Sequence, residues 1–527
     1  MQRRRFLLTL STLSAIFSAT QVSAQNTSAT AEPGARELLD EMAAGHLSSE
    51  QLVQRYLKRI EELDRNGPKL HSILELNPEA LSIARELDLE RRAGTLRGVL
   101  HGLPVLLKDN IATGDQMSTT AGSLALDGVH ATRDAHLVQR LRAQGAVILG
   151  KTNLSEWANI RSTRATSGWS GRGGLTRNPY ALDRNTSGSS SGSAAAAAAD
   201  LAALTVGTET DGSIVSPASI NGVVGLKPTV GRISRDGVIP ISHTQDTAGP
   251  IVRSVADAAL LLSALAGPDG GDRATQGVPA PDDYLRALDP QALKGARLGV
   301  AREYFTGNDE VDALIEQAIA TLKTLGAEII DPIDLPKPEY GDAEGLVLLY
   351  EFKHDLPLWL AQFAPHAQIK TLADVIAYDD AHRIREMPYF AQEMFLKAQA
   401  LGGLDSDAYR TALAQCAKLA GEEGIKRVMQ SHRLDALIAP TGGPAWLTDI
   451  VNGDNSGAGF STPAAVAGYP HLTVPAGFVR ELPIGLSFVG LPWSEARLLG
   501  LGYAFEQATR HRRAPQYLTQ TAIPAGL

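Results

Sequence analysis

Two loops rich in glycine and serine are the part of this sequence best suited to chemistry. The first, residues 185–193, reads Asn-Thr-Ser-Gly-Ser-Ser-Ser-Gly-Ser, and the second, residues 207–214, reads Gly-Thr-Glu-Thr-Asp-Gly-Ser-Ile. Glycine lets backbone N–H groups approach a ligand closely, and serine hydroxyls can act as nucleophiles. An alanine-rich stretch and an apolar stretch join the two loops without a break. This continuity favours a built oxyanion or anion site over a flexible linker.

Two familiar serine arrangements can be set aside. Ser190 lies at the centre of a Gly-Ser-Ser-Ser-Gly sequence, which matches the nucleophile elbow of α/β-hydrolases. That elbow follows a strand, whereas residues 175–187 are polar and turn-like, so we reject Ser190 as the nucleophile. A Ser-x-x-Lys site of the penicillin-binding type is excluded because no lysine here has a serine three positions before it.

The composition excludes several classes of protein. Of 527 residues, 44% are hydrophobic and 20% are charged, and the formal net charge is -9 with a pI of about 5.8. This balance is typical of a soluble globular enzyme and provides no basic face for nucleic acid and no cationic face for a membrane. The 12 histidines are scattered, without a His-Glu-x-x-His motif or a Cys/His cluster. No metal and no cofactor is therefore expected.

The N-terminus has the architecture of a signal peptide over residues 1–24. Three arginines at 3–5 precede a short apolar run at 7–17, and small residues at 22–24 provide a cleavage site. The arginines also resemble a twin-arginine signal. We therefore expect an exported protein, periplasmic or secreted from a bacterium, that is monomeric and free of the membrane after cleavage. Cys416 is the only cysteine, so the core must hold the fold without an intramolecular disulfide.

Helix and strand patterns alternate along the chain. A helix is expected from Ser48 or Ser49, a buried strand at 99–107 that ends at Lys108, and a helix capped by Asp134 before a strand at 147–149. A strand at 201–206 follows the alanine stretch, and Ser254 is expected to cap a further helix. Such alternation favours a layered α/β architecture with a mostly parallel sheet. Alone, a lysine after an apolar run is usually a cap that reaches to solvent.

The later part of the chain is more helical. Residues 335–430 indicate a helical insertion packed on the sheet, and strands return at 434–439, 472–475 and 483–488. No repeat with a period of 20–50 residues is present. We therefore predict one domain over residues 25–527.

Five motifs together resemble the amidase signature family in order and spacing, namely residues 102–109, 150–153, 187–196, 207–214 and 222–228. The resemblance extends from about residue 38 to residue 510, and within the family the chain is most similar to bacterial peptide amidases. It implies an α/β fold in which a single large domain has a central twisted mixed sheet flanked by helices on both faces.

The resemblance also implies a catalytic triad. Ser213 matches the nucleophile, Ser189 matches the serine that follows a cis peptide bond and relays the proton, and Lys108 matches the base. Lysine accepts a proton only when neutral, so Lys108 is expected in a desolvated pocket that lowers its pKa.

The backbone N–H groups of Thr210, Asp211, Gly212 and Ser213 match the oxyanion hole of the family. Asp211 stands where many members have glycine, which leaves the shape of this loop open. Glu209 replaces a usual aspartate and is expected to bind backbone.

The implied activity is amide hydrolysis by this serine triad, most specifically release of ammonia from C-terminal peptide carboxamides. Residues 213–216 read Ser-Ile-Val-Ser, so the arginine that follows the nucleophile in some relatives is absent. A neutral carboxamide end is then easier to bury there than a free carboxylate. Trp157 and Trp169 are candidates for an apolar wall, although tryptophan is more often core.

Two alternatives remain at this point. The chain could be a general amidase for small aryl or aliphatic amides, or an inactive relative that serves as a binding protein. A subunit that transfers ammonia to a tRNA-bound acid is disfavoured by the export signal and by the lack of a basic face.

Overall fold

A large mixed sheet runs through residues 32–337 and 339–521, the part of the chain that the computed structural model describes. The strands of this part are β1 (Ile73–Leu76), β2 (Pro104–Lys108), β3 (Val147–Thr152), β4 (Trp169–Ser170), β5 (Gly174–Leu175), β6 (Leu204–Glu209), β7 (Val224–Lys227), β8 (Thr247–Val252), β9 (Arg297–Val300), β10 (Glu328–Ile330), β11 (Ala436–Pro440), β12 (His471–Val479) and β13 (Leu482–Val489). Eleven of them form the sheet in the order β1-β3-β2-β6-β8-β7-β12-β13-β11-β9-β10, while β4 and β5 form a separate hairpin.

The sheet is parallel in two places and antiparallel elsewhere. Strands β3, β2 and β6 are parallel to one another, as are β11, β9 and β10. The other six neighbouring pairs are antiparallel. The predicted mixed sheet is confirmed, and the expectation of a mostly parallel sheet is wrong. Helices cross between parallel strands, but β7–β8 and β12–β13 are joined without a helix, so these strands run back along their neighbours.

Helices flank the sheet. Those described are α1 (Ala35–Ala43), α2 (Ser49–Arg59), α3 (Ala80–Arg92), α4 (His136–Ala143), α5 (Ser191–Ala198), α6 (Val215–Ile220), α7 (Val255–Leu265), α8 (Asp309–Thr324), α9 (Gly341–Phe363), α10 (Leu372–Ala381), α11 (Arg383–Glu386), α12 (Glu393–Ala400), α13 (Asp407–Cys416), α14 (Arg427–His432), α15 (Thr462–Val466) and α16 (Glu495–Thr509). The fold is a single large α/β domain from Gly34 onward, with α9 to α14 in the region of the predicted insertion.

Helix α5 shows why its sequence is almost entirely small residues. All eight of its residues are buried. A Cβ atom on Gly192 would lie only 2.4 Å from the carbonyl oxygen of Ser72 and 2.6 Å from the backbone nitrogen of Asn153. Small side chains therefore let the helix approach the sheet closely, which brings its N-terminal serines to the ends of the central strands.

Local capping predictions were partly right. Ser48 caps α2 by accepting from the N–H of Gln51 at 3.1 Å, and Ser254 caps α7 by accepting from the N–H of Asp257 at 3.1 Å. Asp134 does not cap α4, because its carboxylate accepts from the N–H of Gly114 at 2.7 Å instead.

Two predicted strands begin later than expected. The strand predicted at 99–107 begins at Pro104, and the one predicted at 201–206 begins at Leu204. Of the preceding apolar residues, Val99 is exposed, while Leu100, Leu103 and residues 201–203 are buried outside any strand. Burial alone does not distinguish a turn from a strand.

The predicted signal peptide, residues 1–24, lies outside the described residues. In the described part, no helix combines the length and apolarity needed to cross a membrane.

Candidate active site

Lys108 lies at the C-terminal end of β2, in the interior of the protein. Its Nζ donates to Ser189 Oγ at 2.8 Å and to Thr208 on the neighbouring strand β6, at 2.9 Å to Oγ1 and 3.2 Å to the carbonyl oxygen. The side chain is fully buried. The interpretation of this lysine as a cap that reaches to solvent is therefore excluded.

Burial lowers the pKa of Lys108 to about 7, although the negative charges of Asp246 and Glu209 oppose this shift. The cause is the cost of removing an ammonium group from water. A lysine with this pKa is about half neutral at pH 7. It can therefore accept a proton under physiological conditions.

Ser189 is held where the serine loop (residues 185–193) meets α5. The peptide bond between Gly188 and Ser189 is cis. The carbonyl oxygen of Ser189 accepts from the N–H of Ser155 at 3.0 Å. A Cβ atom on residue 188 would lie 2.2 Å from Ser155 Oγ, so only glycine fits there. The Ser189 hydroxyl is thereby presented to Lys108.

Ser213 follows β6 and approaches the serine loop from the other side. Its carbonyl oxygen accepts from the N–H of Ser190 at 3.2 Å, which joins the two loops predicted from sequence. Ser213 has a relative exposure of 8%, and its Oγ makes no hydrogen bond within residues 32–337 and 339–521. This hydroxyl is available to an incoming group.

Ser190 has a structural position. Its Oγ donates to the carbonyl oxygen of Thr208 at 2.9 Å and accepts from the N–H of Thr208 at 3.2 Å, and the side chain is fully buried. Both hydroxyl functions are therefore used by backbone, in agreement with its rejection as a nucleophile.

The oxyanion loop, named for the role predicted for residues 210–213, has backbone donors without a partner in the described part of the chain. Gly212 has a φ of +75°, a left-handed conformation that favours glycine. Among the described residues, no protein acceptor takes the N–H of Asp211, Gly212 or Ser213. Neighbouring donors without an acceptor suit a developing negative charge on an oxygen.

Glu209 binds the backbone at the C-terminal end of this loop. Its Oε2 accepts from the N–H of Ile214 at 2.7 Å and of Val215 at 3.0 Å. The prediction that Glu209 binds backbone is confirmed. These two bonds fix the chain directly after the candidate nucleophile.

Asp211 stands where many members of the family have glycine, and its side chain has a specific partner in the fold. Asp211 Oδ2 accepts from Thr462 Oγ1 at 2.7 Å, at the start of α15. Burial raises the pKa of Asp211, and its Oδ1 atom is buried without a hydrogen-bond partner. Asp211 therefore ties the oxyanion loop to a segment about 250 residues later in the chain.

A second set of supports for the oxyanion loop was missed by sequence reasoning. Asp246 Oδ1 accepts from Thr210 Oγ1 at 2.6 Å. Gln245 Nε2 donates to the carbonyl oxygen of Thr210 at 3.3 Å and to Glu344 Oε1 at 3.0 Å. Burial raises the pKa of Asp246 to about 6, and burial together with the charge of Asp211 raises the pKa of Glu344 to about 8. The run of polar residues just before β8 was the sequence signal that could have revealed these supports.

A cavity of about 320 Å³ opens beside these groups. It is lined by the serine loop at 187–188, by a long segment at 441–462, and by Asn159, Ser167, Asp211, Gly212, Ser216, Ser219 and Ile220. Ser189 and Ser213 each directly follow a lining residue. Its volume is in the usual range for a small-molecule site.

Trp157 and Trp169 are core residues, which is the role that the sequence favoured over a wall of the cavity. Trp157 packs edge-on against Phe352 and Phe395 in the core, and Trp169 packs against Tyr389 and Phe390. Neither lines the cavity. The tryptophan that does is Trp446, from the 441–462 segment. Periodicity could not reveal this because the segment has little regular structure before α15.

The chain belongs to the amidase family, whose family model matches residues 51–499. The protein is accordingly a hydrolase that acts on amide bonds. It is 40% identical to a probable amidase of Arabidopsis thaliana, with 97% of each chain covered. It is 39% identical to a putative amidase of Arthroderma benhamiae, covering 88% of this chain and 79% of that protein.

Among solved structures, the X-ray structure of native peptide amidase from Stenotrophomonas maltophilia is similar, with 52% identity and a TM-score of 0.89. The match covers 92% of this chain and 99% of that one. The predicted resemblance to the amidase signature family and to its peptide amidases is confirmed.

The expectation of a bacterial periplasmic or secreted location is wrong. It is overturned by the curated relatives of plant and fungal origin, which match nearly the whole chain. The cationic and apolar pattern at residues 1–24 was not enough to assign a compartment, because short stretches of this composition arise in many contexts.

Proposed function

We propose that the protein cleaves amides by a Ser213–Ser189–Lys108 mechanism. The observation that carries the proposal is the 2.8 Å contact between Lys108 Nζ and Ser189 Oγ in a fully buried environment. Burial keeps about half of this lysine neutral at pH 7, so Ser189 can give its proton to Nζ while it takes one from Ser213. Ser213 Oγ then attacks the amide carbonyl carbon.

The carbonyl oxygen becomes negative as the Ser213 Oγ–C bond forms. The free N–H groups of the oxyanion loop are suited to stabilise it. Collapse of the intermediate breaks the C–N bond, and the proton held by Lys108 returns through Ser189 to the leaving nitrogen. A water molecule, deprotonated along the same relay, then cleaves the ester on Ser213 and releases the acid.

The proposed substrates are peptides that end in a carboxamide, which would release ammonia. Two observations support this class. The similar peptide amidase from Stenotrophomonas maltophilia covers nearly the whole domain. The cavity lining contains no lysine, arginine or histidine among the described residues, so a free carboxylate would find no counter-ion.

Labelling with a fluorophosphonate, followed by peptide mass spectrometry, tests the nucleophile. We expect modification of Ser213 only, and loss of labelling in Ser213→Ala. That variant should lose at least about 10³-fold in kcat with an unchanged melting temperature. Ser190→Ala should be labelled normally at Ser213; label on Ser190 in the wild type would revive the elbow interpretation.

A substrate panel tests the class. It contains a peptide amide, the same peptide as free acid, an aryl amide and a fatty amide, with ammonia or amine release as the readout. We expect the peptide amide to be cleaved fastest. Preference for the aryl or fatty amide would instead indicate a general amidase, and no cleavage of any member would indicate an inactive binding protein.

A further inference from the structure

The cavity carries negative charge that no cation in its lining balances. Asp211 and Asp454 are the two titratable side chains among its described lining residues. Asp211 is buried against Thr462, and burial raises its pKa towards the neutral acid. Asp454 differs because it is more exposed, and it belongs to the 441–462 segment of the lining.

Asp454 is held in place by neutral donors. The N–H of Ser167 contacts its two carboxylate oxygens at 3.0 and 3.1 Å, Trp446 Nε1 donates to Oδ1 at 3.2 Å, and Asn185 Nδ2 donates to Oδ1 at 3.4 Å. These contacts fix the orientation of the carboxylate but do not neutralise its charge. Within the described residues, Asp454 forms no ion pair.

The same contacts link Asp454 to the serine loop. Asn185 Oδ1 accepts from the N–H of Ser187 at 2.6 Å, and Ser187 and Gly188 both line the cavity directly before Ser189. A molecule in the cavity can therefore contact both Asp454 and the residues next to the candidate triad. A fixed carboxylate without an ion-pair partner attracts a cation and repels an anion.

We propose that Asp454 determines specificity by binding a positively charged group on the acyl part of the substrate, such as an α-ammonium or a lysine side chain. The proposal rests on the proposed function, since it names the charge that a peptide amide carries into the same cavity. Neutral amides remain substrates, and amides with an acidic residue at this position become poor ones.

Partial burial raises the pKa of Asp454, and the hydrogen bonds from Ser167 and Trp446 oppose that shift. A bound cation lowers this raised pKa and keeps the carboxylate ionised. The bound cation therefore stabilises the ionised carboxylate of Asp454 that binds it.

The test compares kcat/KM for matched peptide amides in wild type and in Asp454→Asn. The first pair is one peptide amide with a free N-terminus and the same peptide with an acetylated N-terminus. The second set consists of acetylated peptides that carry lysine, norleucine or glutamate at one position. We expect wild type to favour the cationic member of a pair by about fivefold, as for a partly exposed charge pair. The pair that responds identifies which ammonium is bound.

Asp454→Asn should abolish this preference, chiefly through KM, so that the cationic and neutral peptides have similar kcat/KM. Asp449→Asn is the matched control. Asp449 also accepts backbone N–H groups in this segment, from Val451 at 2.8 Å and Asn452 at 2.9 Å, but it does not line the cavity. Asp449→Asn should keep the wild-type preference for the cationic peptide. Added salt should weaken that preference in wild type and in Asp449→Asn.

Different results would contradict the proposed function and the role of Asp454. If wild type cleaves aryl or fatty amides but no peptide amide, the proposed function is wrong. If peptide amides are cleaved but cationic and neutral members react equally, the role of Asp454 is wrong. A loss of kcat for every peptide in Asp454→Asn, with the preference retained, also overturns it and assigns Asp454 a structural role.

Discussion

Replacing Thr208 by valine should shift the pH dependence of the enzyme to lower pH. Thr208 Oγ1 lies 2.9 Å from Lys108 Nζ and accepts its hydrogen bond. Valine has nearly the same shape but lacks the oxygen. Hydrogen bonds to charged groups are worth about 1.5–3 kcal/mol and neutral ones about 1 kcal/mol. The ammonium form therefore loses about 1–1.5 kcal/mol more than the neutral amine does.

That difference corresponds to about one pKa unit. Because the protonated form loses more, the pKa of Lys108 falls, from about 7 in the wild type to about 6 in the variant. Neutral lysine is the active form, so kcat/KM rises with pH through the pKa. At pH 6 the neutral fraction increases from about 10% to about 50%.

The assay is ammonia release from a peptide amide between pH 5 and 9, with log kcat/KM plotted against pH. The midpoint of the acid limb is read separately from the plateau. Asn110 Nδ2 also donates to Thr208 Oγ1, at 2.9 Å, and the loss of this second hydrogen bond lowers the plateau without moving the midpoint. Thr208→Ser keeps the hydroxyl and should keep a midpoint near 7. A midpoint in Thr208→Val at or above the wild-type value would refute Lys108 as the base.

Three further changes test the surroundings of the site. Thr462→Val removes the 2.7 Å donor to Asp211, and we expect kcat to fall about tenfold with little change in melting temperature, while Thr462→Ser restores it. Gly212→Ala places a Cβ atom 2.9 Å from Ser461 Oγ at a φ of +75°, so steady-state kinetics should show a loss of at least about 10²-fold with the fold retained. Asp379 is buried with both carboxylate oxygens unpaired, and burial raises its pKa to about 7, which is above its unfolded value, so ionisation costs stability as the pH rises from about 4 to about 7. Asp379→Asn should therefore stabilise the protein by about 1–3 kcal/mol at pH 8 and by almost nothing at pH 4, as measured by chemical denaturation.

The sequence by itself determined the parts of the site that depend on neighbouring residues. The serine loop, the alanine helix and the glycines at 188 and 212 appear as local patterns, because conformational freedom and close approach depend on side-chain size. The caps at Ser48 and Ser254 were predictable for the same reason, since a cap bonds to a backbone group three residues away.

Only the tertiary structure decided which distant side chains support these loops. Asp246 bonds the oxyanion loop from a turn 36 residues later, and Thr462 bonds it from α15, 251 residues later. Glu344 of α9 acts through Gln245, which bonds both Glu344 and the loop. The cavity wall, to which Trp446 contributes, and the antiparallel centre of the sheet arise in the same way. Strand direction, burial and ion pairing are properties of contacts between segments, and hydrophobic periodicity within one segment carries no information about its partner.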